Sequence, residues 1–225
     1  MATQTVYQLH TALDGYKPKI WRRILVSTTM KLSRLAYMLM TLYEMEGSHL
    51  FNLYSPDSNE YYALKNGNLV NDFDDEDTNN AASTPLKKVL LFVGQKIIFT
   101  YDFGDSWEII ITLEEIITDS DIPVKELPRV LKGKGYGIID DCGGVPGLER
   151  IAEVFKRKEG QEYEQFCEWL GTNELDLKNF DIDSNESRPK KLHYRVGRLL
   201  RRRLRLHTAF PKKFTEVLIT FNICG

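Results

Sequence analysis

The chain has 225 residues, 42% of them hydrophobic, which is enough for one substantial core or for one core with an appendage. Apolar runs stay short of the roughly eighteen residues a membrane-spanning helix needs, and the opening Met-Ala-Thr-Gln lacks a basic stretch leading into an apolar one, so the expectation is a cytoplasmic protein with no membrane partner. The formal charge of −2 hides a segregation: residues 186–225 hold eleven Lys and Arg against two Glu, about +9, which leaves about −11 on the rest. Three widely spaced cysteines, Cys142, Cys167 and Cys224, with no Cys-x-x-Cys pair, argue against a disulfide framework or a common structural zinc site.

Val6 to Leu13 and Ile20 to Val26 alternate apolar and polar positions around Gly15 and Pro18, the pattern of an antiparallel hairpin. Within it the alternation sends Trp21 and Arg22 to opposite faces, with the aromatic expected in the core and Arg22 and Arg23 expected as surface charges or as partners of a carboxylate. Leu32, Leu35, Ala36, Leu39, Leu42 and Tyr43 recur at helical spacing, with Ser27 or Thr28 as the expected N-cap and Gly47 as the stop. Ser48 to Tyr54 returns to a period of two, and places His49 at the start of a strand, where a hydrogen-bonded structural role is the ordinary one. Ser55 to Ala82 is polar and reads as a solvated loop; its cluster Asp72, Asp74, Asp75, Glu76 and Asp77 lacks the spacing of a calcium loop. Pro85 to Val93 reads as a short helix.

Tyr101-Asp102-Phe103-Gly104-Asp105-Ser106-Trp107 lies between two strand-like runs, Lys96 to Thr100 and Glu108 to Leu113. A Gly-Asp connection predicts a tight hairpin with Gly104 at positive φ and carboxylates at the tip. Those carboxylates either hold the turn through nearby amides or serve a metal, a proton transfer or a basic partner. Pro123 and Pro128 mark an irregular crossing. From Gly133 to Gly147, six glycines in fifteen positions predict a loop with tight backbone geometry, outside either phosphate-loop spacing. Asp140 and Asp141 within it could join Asp102 and Asp105 in a cluster of the kind that binds magnesium or manganese. Leu148 to Lys158 and Glu162 to Leu170 read as two helices, the second with Tyr163, Phe166 and Trp169 beside an inert, buried Cys167. From Arg188 onwards, Leu192, Val196, Leu199, Leu200 and Leu204 form one stripe of an amphipathic helix among arginines, and Val217 to Ile223 reads as a last strand.

Taken together, Tyr7-Gln8-Leu9, Pro18-Lys19-Ile20-Trp21-Arg22-Arg23, His49-Leu50-Phe51, the Tyr101–Trp107 run, Asp140-Asp141-Cys142-Gly143-Gly144 and the stretch from Trp169-Leu170-Gly171 to Phe180-Asp181 resemble the plasmid pRiA4b ORF-3-like family. The resemblance covers roughly residues 5 to 185, within the usual size of one domain. It departs at Glu46-Gly47, where the family tends to have Gly-Trp, and at Asp140-Asp141-Cys142, where it tends to have Glu-Asp before Gly-Gly. Members are often labelled passengers of insertion elements, so the resemblance implies a bacterial, mobile-element setting, an α+β domain and no defined activity.

The expected fold is α+β, an antiparallel sheet of hairpins packed against helices over residues 1–185, followed by an arginine-rich helix and terminal strand over 186–225. The leading functional expectation is a non-enzymatic interaction module that contacts nucleic acid through Arg195, Arg198, Arg201, Arg202, Arg203 and Arg205. One alternative is a magnesium- or manganese-dependent hydrolase or phosphoryl-transfer enzyme using Asp102, Asp105, Asp140 and Asp141, with His49 as base or ligand. Another is an oligomeric scaffold that binds a protein partner or itself, and the leading expectation needs no cofactor.

Overall fold

Alternation of inward apolar and outward polar residues builds one eight-stranded sheet in the computed structural model, which describes residues 4–65 and 77–180. The strands are β1 (Gln4–Leu13), β2 (Trp21–Ser27), β3 (Phe51–Ser55), β4 (Glu60–Ala63), β5 (Thr78–Asn80), β6 (Lys96–Tyr101), β7 (Trp107–Ser120) and β8 (Arg129–Lys134). Their order is β5-β4-β3-β6-β7-β1-β2-β8, antiparallel throughout except for the β4–β5 pair. The helices are α1 (Leu32–Leu42), α2 (Gly144–Arg157) and α3 (Gln161–Leu170), which makes the fold α+β. Leu9, Leu13, Ile24, Val26, Leu53, Ile97, Phe99, Ile109 and Ile111 cover one face of the sheet and pack on α1, nearly all of which is buried. Among the described residues no helix is long and apolar enough to cross a membrane. The arginine-rich segment, the last strand and Asp72 to Glu76 of the acidic cluster lie outside the described residues.

Several local expectations give way to tertiary contacts. The N-cap of α1 is Lys31, not Ser27 or Thr28: Leu32 and Ser33 donate their amides to the carbonyls of Thr84 (3.0 Å) and Ala81 (3.0 Å), so a neighbouring loop replaces the side-chain cap. The helix stops at Leu42, short of Gly47, and the chain turns through Glu44 at φ 59°. The following strand starts at Phe51 rather than Ser48. The polar stretch from Ser55 holds two short strands, the edge strand β5 and its neighbour β4, whose half-exposed positions erased the apolar alternation. Pro85 to Val93 contains only a 3-10 turn at Leu86–Lys88, and Leu91, Phe92 and Val93 are exposed. The glycine-rich run begins inside β8, a strand unmarked by apolar alternation, and ends inside α2.

The largest reversal is on β2. Arg22 shares its parity with the buried Ile24 and Val26, so it points into the core with no exposed surface, while Trp21 lies half-buried on the outer face, stacked on His10 with ring centroids 5.3 Å apart. The guanidinium spends all five donors on main-chain carbonyls. Nε and Nη2 donate to Leu42 O at the end of α1 (3.1 and 3.0 Å), Nη1 to Trp21 O (2.9 Å) and Lys134 O (2.8 Å), and Nη2 to Tyr136 O (2.6 Å). Phe180 lies across one side of it at 3.8 Å and Tyr43 at 4.9 Å. Burial draws its pKa down to about 10, so the group is still a cation at neutral pH and sits where a helix C-terminus favours one. Replacing Arg22 with Met keeps much of the volume and orphans these carbonyls; the expected cost is about 3–5 kcal/mol, measured as a lower urea midpoint. Arg22→Lys should recover only part of this, because an ammonium has three donors and no fork. An unchanged midpoint in Arg22→Met would remove the clamp from this account.

Candidate metal centre

The antiparallel pairing of β3 with β6 puts the start of one strand beside the end of the other, with Phe51 opposite Tyr101. His49, just before β3, therefore meets Asp102, just after β6. Asp102 and Ser106 take the positive φ values (54° and 52°) that were expected of Gly104, and the β6–β7 connection is a five-residue loop, 102–106, rather than a two-residue turn. Asp102 tolerates that conformation because its Oδ1 accepts the Gly104 amide at 3.0 Å. Its Oδ2 is left 3.6 Å from His49 Nδ1.

The glycine-rich loop closes the third side, and its glycines have a steric reason. A Cβ on Gly144 would meet the Asp105 carbonyl oxygen at 2.5 Å, and one on Gly147 would overlap the Cys142 carbonyl oxygen. Backbone thus lies directly on backbone at both points. Asp105 Oδ2 accepts the Gly143 amide at 3.1 Å, which ties the hairpin tip to the start of α2. Asp141 is carried to the other ring nitrogen, with its Oδ1 3.3 Å from His49 Nε2.

Of the five residues singled out in the sequence, His49, Asp102 and Asp141 offer ligand atoms that all lie within 4.8 Å of one another. Asp105 and Asp140 stand apart, each occupied by a main-chain amide. Asp140 Oδ2 accepts from Glu46 N at 2.8 Å, and burial raises its pKa from the ordinary carboxylate value. Beside it the Tyr101 hydroxyl accepts the Gly47 amide at 3.0 Å; burial and then the Asp140 charge push this phenol up to about 12. Tyr101 also stands edge-on to His49 with centroids 5.7 Å apart, fixing the imidazole's inner side. Trp107, at the far end of the loop, is fully buried and forms no exposed platform.

The sequence profile of the plasmid pRiA4b ORF-3-like protein family matches residues 5–184. The chain belongs to this family. An uncharacterized protein, y4hQ, of Sinorhizobium fredii (strain NBRC 101917 / NGR234) is 26% identical over 172 residues, covering 76% of this chain and 84% of that relative. A crystal structure of a protein of unknown function, MM3350 from Methanosarcina mazei Go1, superposes with a TM-score of 0.68 at 28% identity, covering 84% of this chain and 97% of the other. The fold of this chain is thus shared with the Methanosarcina mazei protein, and none of these names specifies a reaction.

Asp141 also borders a cavity of about 450 Å³, walled by Cys142, by Gly147 and Arg150 on α2, and by Phe166 and Trp169 on α3. Sequence periodicity assigned Phe166 and Trp169 to a core-facing stripe. Yet no residue of α3 is fully buried, Cys167 is only half-buried, and Trp169 is 48% exposed. Many charged residues flank the aromatics on this short helix, and that was the available signal. Cys142 is a poor nucleophile here: burial, then the Asp105 charge, push its thiol up to about 12. Its alkylation by iodoacetamide at pH 8 is expected to run at least about tenfold slower than that of an unperturbed thiol, followed by mass spectrometry of the modified peptide. A rate matching glutathione would contradict this assignment.

Proposed function

We propose that His49, Asp102 and Asp141 bind a divalent cation, and that the bound cation promotes hydrolysis of a phosphate ester seated in the adjoining cavity. The observation that carries the reading is the convergence of one imidazole and two carboxylates, from three separate loops, within 4.8 Å. One nitrogen with two oxygen donors suits Mn²⁺ or Zn²⁺ better than Ca²⁺ or Mg²⁺, which prefer oxygen alone. Three protein ligands leave positions for water and for a phosphoryl oxygen. A cation held by His49, Asp102 and Asp141 would draw charge from a phosphoryl oxygen and lower the pKa of a bound water, so that the water oxygen could bond to phosphorus as the ester P–O bond breaks, the proton lost by the water being balanced by the one taken up by the leaving oxygen. Asp105 and Asp140 serve the site by holding the loops together.

Calorimetric titration of the full chain with MnCl₂ tests the cation site. One equivalent of saturable heat is expected, lost in His49→Ala and in Asp141→Asn. At a hundredfold excess over Kd, the ion should add about 2.7 kcal/mol to the stability of the native chain and of neither variant. Hydrolysis of bis(p-nitrophenyl) phosphate should require Mn²⁺ and fall at least about a hundredfold in Asp102→Asn. Absence of Mn²⁺ and Zn²⁺ heat in the native chain would overturn the reading.

A second reading rests on the segregation of charge: about +9 on residues 186–225 favours contact between Arg195, Arg198, Arg201, Arg202, Arg203 and Arg205 and a polyanion such as nucleic acid. Fluorescence anisotropy with labelled DNA and RNA should show binding that weakens steeply with salt and disappears on truncation after Asn185. Equal affinity for the truncated chain rejects the tail as the contact.

A further inference from the structure

We infer that the cavity between α2 and α3 is the substrate's binding site, and that it takes a planar aromatic ring linked to a phosphate, the chemistry of a nucleotide. The inference rests on the cation reading for the orientation of the phosphate, and on separate observations for the ring. At about 450 Å³ the cavity falls within the range of small-molecule sites, and it shares Asp141 with the His49–Asp102 cluster.

Its outer wall is Trp169, 48% exposed, braced by Phe166 with ring centroids 6.1 Å apart at an interplanar angle of 44°. The two rings pack on one another, so a ligand ring would stack on the free side of Trp169 rather than enter between them. A large indole left half in water, in a recess, is surface that a stacked ring covers favourably. The opposite wall supplies charge. Arg150 stands one turn beyond Gly147 on the same side of α2 and lines the cavity, with its Nε paired to Glu162 on α3, so a phosphate would share the guanidinium with that carboxylate. A guanidinium fork matches phosphate oxygens, and the first turn of α2 adds a favourable field for an anion.

Asp102 and Asp141 oppose this, because two carboxylates repel a phosphate. A cation between them reverses the sign of the local field, so phosphate affinity should depend on the ion while ring stacking should not. An aromatic group at one end and an ion-dependent anion site at the other define the ligand class.

The test is calorimetry of the full chain with adenosine 5′-monophosphate as probe, at saturating Mn²⁺ and again with EDTA. Binding is expected with Mn²⁺, at least about tenfold tighter than for adenosine or for inorganic phosphate alone, and weakened by EDTA. Trp169→Ala and Arg150→Met should each cost about tenfold in affinity for the monophosphate while leaving the Mn²⁺ titration unchanged, since neither side chain belongs to the His49–Asp102–Asp141 cluster. Normal Mn²⁺ binding without any heat from the monophosphate at millimolar concentration overturns this inference and leaves the cation site standing. Monophosphate affinity unaltered in both variants overturns it as well. Binding that depends on Trp169 in a chain that takes up no Mn²⁺ supports the aromatic site and removes the cation reading instead.

Discussion

The fold depends on a buried positive charge that is neutralised by dipoles rather than by a carboxylate. Arg22 gathers the carbonyls of Leu42, Trp21, Lys134 and Tyr136, which belong to the end of α1, to β2 itself, and to the end of β8 with the loop beyond it. Those carbonyls sit at or just beyond the ends of regular elements, the last residue of α1, the first of β2, the last of β8 and the loop after it, where unsatisfied acceptors are costly when buried. The fork geometry of one guanidinium satisfies them together. Tyr43, whose ring lies against Arg22, gives its own carbonyl to Ile138 N at 2.9 Å, so the glycine-rich loop leaves the clamp in a fixed direction.

That direction decides what happens at the acidic loops. From Ile138 the chain needs only two residues to reach Asp140, which fastens onto Glu46 N, and one more to bring Asp141 to His49. The four carboxylates then divide by environment. Asp140 and Asp105 each accept a main-chain amide from another loop and act as fasteners, while Asp102 keeps one oxygen for its own turn and presents the other to the imidazole. Asp141 is left exposed at the cavity mouth. Similar side chains thus differ in exposure and in freedom because their hydrogen-bond partners differ.

Much of the sheet was legible because period-two alternation marks β1 and β2, and β-branched and aromatic residues crowd β6 and β7. The exceptions have specific causes. On β2 the parity of Ile20, Ile24 and Val26 already pointed Arg22 inward, but the apolarity of Trp21 outweighed it; a charge on a core parity is a local conflict of the kind that marks a special position. β4, β5 and β8 are edge or near-edge strands whose polar composition matches loops. The cap of α1 comes from a segment fifty residues away, which no local pattern contains. The candidate residues themselves could be named from the acidic runs and the histidine, since carboxylates beside glycines stand out; which of them converge could not, because convergence depends on the β3–β6 pairing and on the path set by Arg22. The cavity was hidden for another reason: an aromatic pair at i and i+3 has the same spacing whether the helix face is buried or open.

At Gly144 the main chain of the glycine-rich loop rests on the main chain of the β6–β7 loop at Asp105, with no side chain between them. Packing of this kind has no rotamers and cannot relax by repacking. The spacing between the hairpin tip and the start of α2 is therefore a hard-sphere distance, insensitive to the size or polarity of whatever side chains surround it. The separation of these two loops is set by peptide groups, so residues around the imidazole can be exchanged while that span stays the same.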